Sequence, residues 1–194
     1  MRCWQSISAR ALGVPALLFA LLLGLLLPLP AKAALIEPTE AQLTLDESDG
    51  LLAAAFAIDL GSRLEDALTR GITLSFKLEC VIERPRDYWV DEHISSYAQS
   101  YRLSYSGLTR QYRITIGSLH QNFASLPDAL RLLGRASALP VIERSKLLPA
   151  TRYEAAVRLT LDASQLPKPF QLDALTSNAW KVESKTRRWS FQTP

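Results

Sequence analysis

Ile72-Thr73-Leu74-Ser75-Phe76-Lys77-Leu78-Glu79-Cys80-Val81-Ile82-Glu83 decides the fold. Apolar residues stand at every second position from Ile72 through Leu74, Phe76, Leu78 and Cys80 to Ile82, while Thr73, Ser75, Lys77 and Glu79 lie between them and Glu83 follows. Strand side chains alternate between faces, so the stretch reads as a strand with one buried and one solvated side. Cys80 falls on the buried side and reads as a small core hydrophobe rather than a reactive thiol, because nothing nearby in sequence would stabilise its thiolate.

The same period extends outward. Tyr153, Ala155, Val157, Leu159 and Leu161 alternate with Arg152, Glu154, Arg158 and Thr160, and the stretch from Trp180 through Trp189 and Phe191 reads as a last strand. Near the start, Ala41–Leu45 and Leu51–Ile58 flank a polar turn at Asp46–Gly50, as a hairpin requires. Helices are few. Ser62 with Glu65 has the spacing of a reciprocal cap before Leu64, Ala67 and Leu68, and Gly71 closes that segment. Ser125 with Asp128 repeats the device ahead of Leu126, Ala129, Leu130 and Leu133, ending at Gly134, and a weaker turn runs from Glu143 to Leu148. Gln165–Phe170 reads as an extended connector because two prolines restrict it, with a helical turn at Leu172–Leu175. Many strands joined by two or three short helices predict a mainly β fold, an antiparallel, immunoglobulin-like β-sandwich over residues 34–194.

Tyr101–Tyr105 and Gln111–Ile116 flank a turn at Ser106–Thr109. A loop of two or four residues there sets Leu103 opposite Tyr112, Tyr101 opposite Ile114, and Arg102 opposite Arg113. Directly opposed arginines repel. Either a carboxylate from the adjacent strand, such as Glu79 or Glu83, relieves them, or the pair binds an anionic ligand or an acidic partner. Before this hairpin, Arg84, Arg86, Asp87 and Asp91 surround Tyr88 and Trp89. Trp89 reads as a lid over one end of the core, and alternatively as a binding platform. Arg84, Arg86, Trp89, Arg102 and Arg113 are therefore the candidate partner- or anion-binding residues.

The search for chemistry is otherwise negative. His93 and His120 are the only histidines, and the hydrolase-elbow, zinc-protease, Cys-x-x-Cys and phosphate-loop motifs are missing. Asp91, Glu92 and His93 are adjacent and cannot all face one ion on a strand, so neither a metal nor a cofactor is expected. Ser118 and His120, with Asp128 following, keep a serine hydrolase as the alternative by residue type alone.

Residues 1–33 give the address. Arg2 and Arg10 precede an apolar run from Ala11 to Leu29, and Ala31-Lys32-Ala33 has the small-x-small form cut by a signal peptidase. The run is long enough that an uncleaved signal anchor is the alternative, although Pro28 and Pro30 break it. Either way the body lies across the membrane from the positive flank. Removing Arg2, Arg10 and Lys32 from the 22 basic residues leaves 19 against 19 acidic ones, so the body is neutral. A neutral body argues against binding by bulk charge to nucleic acid or to an anionic membrane. Cys80 is the single cysteine of the body, so export brings no internal disulfide.

Arg84-Pro85-Arg86 with Tyr88-Trp89 and Asp91-Glu92, the Tyr101–Arg113 hairpin, Leu119-His120-Gln121 and Gln165–Phe170 together resemble a proteobacterial family of exported proteins, domain of unknown function 4390. The resemblance implies a periplasmic setting and a gene context shared with membrane sensor kinases of two-component systems. It implies no activity and no site residues. The expectation is a non-enzymatic periplasmic binding or accessory protein that modulates a membrane sensor kinase or another envelope protein, with an envelope hydrolase using Ser118 and His120 as the alternative. The exported protein should begin at Ala34. Intact-mass analysis should show the loss of 33 residues, and a full-length chain in the membrane fraction would establish the anchor instead.

Overall fold

The computed structural model describes residues 34–176, 180 and 182–194; the leader or anchor read in residues 1–33 lies outside them. Strand β3 (Leu74–Arg84) follows the alternation in the sequence: Leu74, Phe76, Leu78, Cys80 and Ile82 are all buried, and each is at most 2% exposed. It pairs antiparallel with β4 (Glu92–Ser106) on one side and β8 (Arg152–Leu161) on the other. Beyond β4 come β5 (Gln111–Ile116) and β6 (Leu119–Phe123), and beyond β8 comes β9 (Arg187–Gln192), giving the order β6-β5-β4-β3-β8-β9.

A second antiparallel sheet has the order β1-β2-β7, from β1 (Leu35–Leu45), β2 (Asp49–Asp59) and β7 (Arg135–Glu143). Its turn forms where the polar residues predicted one: Asp46 donates its N–H to the Asp49 carbonyl at 2.8 Å. The inward faces of both sheets, with Leu52 and Phe56 from β2 and Tyr153, Val157 and Leu159 from β8, share one apolar core. The expected antiparallel sandwich is present, mainly β, with three short α-helices among the described residues. These are α1 (Gly61–Thr69), α2 (Leu126–Leu133) and α3 (Lys168–Thr176).

The α2 cap follows the sequence. Ser125 Oγ accepts the Asp128 N–H at 3.3 Å, and Gly134 ends the helix. Gly134 is required by contact: a Cβ there would collide with the Phe56 carbonyl oxygen, and the Phe56 N–H donates to the Gly134 carbonyl at 2.8 Å. The α1 cap does not follow it. Ser62 lies inside the helix, and the Gly61 N–H donates instead to Asp59 Oδ1 at 3.0 Å, so the aspartate upstream takes the capping role.

Two C-terminal expectations are corrected. Gln165–Phe170 is not an extended connector: a 3₁₀ turn occupies Ala163–Gln165, and α3 begins at Lys168, with Pro169 in its first turn where no N–H is needed. Nor is Trp180 part of the last strand. It is 2% exposed, donates its indole N–H to Asp173 Oδ2 at 2.8 Å, and meets Phe170 edge-on at 5.4 Å. Among the described residues between Trp180 and β9, Glu183 bridges Thr160 of β8, and Ser184 Oγ accepts the Leu159 N–H at 2.9 Å.

Cys80 is buried and free, and burial pushes its thiol up to about 12. It should resist thiol reagents in the native protein and react at once on unfolding. Mass spectrometry of labelled protein checks this, and rapid labelling of the native fold would overturn the facing of β3.

Candidate functional site

The β3–β4 connection is built on a charged base. Glu92, the first residue of β4, pairs with Arg84 at the end of β3 and lies 2.7 Å from the Arg86 guanidinium. The hydrogen bond from Arg86, then the charges of Arg84 and Arg86, hold the Glu92 carboxyl below its ordinary range. The Arg86 N–H also donates to Asp91 Oδ1 at 3.2 Å, closing the loop on itself. Above this base Tyr88, Trp89 and Val90 are 94%, 81% and 89% exposed. Trp89 is therefore no lid over the core. The tight bonding of its flanks carries the tip outward, and polar flanking residues were the sequence signal that the tip is solvated.

The second candidate pair lies elsewhere. From Glu92 to Arg102 is ten residues along β4, roughly 30 Å of strand, so the five residues do not form one site. The hairpin closes at Ser106–Gln111 around Gly107–Arg110, with Arg110 in the left-handed region at φ 53°. This register is displaced by two residues from the expected one. Leu103 stands opposite Ile114, both buried, and Tyr105 opposite Tyr112, their rings 4.9 Å apart. Aromatic and aliphatic partners on one face thus outweigh the shorter turn.

A two-residue shift preserves facing but ends direct opposition. Arg102 pairs with Thr115 and Arg113 with Ser104, leaving the arginines diagonal, at a spacing of roughly 7 to 8 Å. Arg113 donates its Nε–H to Asn122 Oδ1 at 2.9 Å, while Arg102 is exposed. Glu79 does not relieve them: it holds Lys77 and Arg158, each at 2.7 Å, and hydrogen bonds from Lys77 and then Arg158 lower its pKa against the cost of burial. The repulsion is removed by distance and a neutral amide rather than by a carboxylate.

Ser118 sits in the turn after Gly117 and His120 on β6 opposite Thr115, both exposed and without a hydrogen bond between them. Asp128 is bonded to Ser125 and Arg131 at the start of α2. Four of the concavities on the described surface hold about 230 to 450 Å³, and none of the five candidate residues, nor Ser118 or His120, lines these four. Among the described residues no group of three metal-ligating side chains gathers, and no helix is long and apolar enough to cross a membrane.

Sequence reasoning paired Tyr88 with Trp89 but kept only Trp89 as a candidate and missed Val90; three consecutive large apolar residues between Asp87 and Asp91 were the available signal. Neither a curated protein nor a solved structure matches the chain. A family model matches residues 33–190, the whole sandwich but its last four residues, and the chain belongs to that family, described as Domain of unknown function (DUF4390).

Proposed function

We propose that this chain is a non-enzymatic binding or accessory module of the periplasm that docks an envelope protein, a membrane sensor kinase being the candidate partner, through its β3–β4 connection. One observation carries the reading: Tyr88, Trp89 and Val90 are almost fully exposed on a base fixed by Arg84, Arg86 and Glu92. A solvated Tyr-Trp-Val tip gains nothing for the fold. Tryptophan and tyrosine are the side chains whose burial most often dominates partner binding, and holding them on a rigid base lowers the entropy lost on docking.

Charge near the tip favours a protein over an anionic bilayer. Arg84 and Arg86 are occupied by Glu92, and Asp87 and Asp91 flank the aromatics. Such a collar suits an apolar pocket with a basic rim, whereas anionic headgroups would repel it. Arg102 and Arg113 offer a separate, weaker contact for acidic groups of a partner, one that added salt should screen.

The test places a photo-crosslinking side chain at Val90 in the full chain and illuminates intact cells. An adduct with one envelope protein is expected. Adding Trp89→Ala should lower its yield at least tenfold, with the folding free energy unchanged within about 0.5 kcal/mol. Adducts only with lipid, or a yield indifferent to Trp89, would overturn the proposal.

A further inference from the structure

Four strands bound the two sheets: β1 and β7 the smaller, β6 and β9 the larger. A bare edge offers unpaired N–H and C=O groups to any passing strand, and folded proteins guard it with charge, proline, a bulge or cover. β1 carries Glu37, Pro38 and Glu40, with a register shift between Pro38 and Glu40. β7 carries Arg135, Pro140 and Glu143, Ala138 stands at φ 51°, and Ser95 Oγ donates to the Val141 carbonyl at 3.1 Å. β9 opens with Arg187-Arg188. β6 has no such guard. Leu119-His120-Gln121-Asn122-Phe123 contains no lysine, arginine, carboxylate or proline, and its register with β5 runs unbroken from end to end. Leu119 is 76% exposed, and His120, Gln121 and Asn122 are exposed with it.

We propose that β6 is an interface at which a second copy of this chain adds its own β6 antiparallel, joining two six-stranded sheets into one. The pattern of the strand selects this occupant. It runs apolar, polar, amide, polar, apolar, and so reads alike in both directions. Pairing about Gln121 sets Leu119 against Phe123 of the second copy twice, His120 against Asn122 twice, and Gln121 against its own counterpart.

The facing agrees. Leu119, Gln121 and Phe123 pair with Ile116, Ile114 and Tyr112 of β5, the face on which Ile114 is buried, so each Leu119–Phe123 contact would extend the inner apolar layer. His120 and Asn122 lie on the outer face, where ring and amide can hydrogen-bond across the junction. No like charges meet. The two Arg113 backbones would stand three strand spacings apart, roughly 14 Å, with each guanidinium tied to Asn122 of its own β6. A two-fold axis through Gln121 makes the contact closed, so it ends at a dimer. Five paired residues form a small contact, which places the dimer in the weak, concentration-dependent class.

The test is disulfide trapping in cells exporting the full chain with Gln121→Cys, compared with the unsubstituted chain and with Ser100→Cys, exposed in the middle of the same sheet. Cys80 is buried and does not compete. A disulfide-linked homodimer is expected from Gln121→Cys alone, and adding Leu119→Lys should cut it several-fold. Sedimentation of the unsubstituted exported protein, which needs no variant to fold, should show a mass rising toward the dimer with concentration. A constant monomer mass, trapping no greater than in the Ser100→Cys control, indifference to Leu119→Lys, or a mixed disulfide with another envelope protein as the main product would each overturn the second copy as the occupant.

Discussion

Everything in this fold hangs on β3 being hydrogen-bonded on both edges and buried along one face. Burying one of its large apolar side chains contributes roughly 1.5 to 3 kcal/mol, and Leu74, Phe76, Leu78 and Ile82 do so in register with Tyr101 and Leu103 on β4 and with Val157, Leu159 and Leu161 on β8. A slip by one residue would expose that whole row and bury Lys77 and Glu79. The register is therefore fixed, and with it the outward face and the point where the β3–β4 connection leaves the sandwich. The position of Trp89 is a consequence of packing at Cys80 and Ile82.

Where burial alternates residue by residue, the sequence was readable. The facing of β3 and β8, the first hairpin and the Ser125 cap all depend on neighbours within a few positions, and all appear in the structure. What escaped depends on residues far apart. The β4–β5 register turns on Leu103 meeting Ile114 and Tyr105 meeting Tyr112, which no turn rule contains. Trp180 is tied by Asp173 of α3 and by Arg63 of α1, whose guanidinium lies 5.9 Å from the ring centroid, so it leaves the strand its neighbours suggested. At α1 the signal was local but ambiguous, because Asp59 and Ser62 both have capping side chains, and with Gly61 at positive φ the helix begins there, two residues after Asp59.

The candidate surfaces divide along the same line. All five residues named from sequence are on the surface, but the strand length between Glu92 and Arg102 separates a charged, aromatic loop from a diagonal arginine pair. Charge alone suggested the arginines. Geometry shifts the weight to the aromatics, because Arg84 and Arg86 serve as struts for the loop through Glu92, while Tyr88, Trp89 and Val90 have no structural task.

Hydrogen exchange of the protein, resolved by mass spectrometry, tests the division between a rigid frame and a solvated tip. The β3 amides should be the slowest in the chain, with β4 and β8 close behind, whereas residues 87–91 should exchange within the shortest labelling time. Protection of 87–91 in the isolated protein, or exchange of β3 as fast as that of the edge strand β6, would contradict the account.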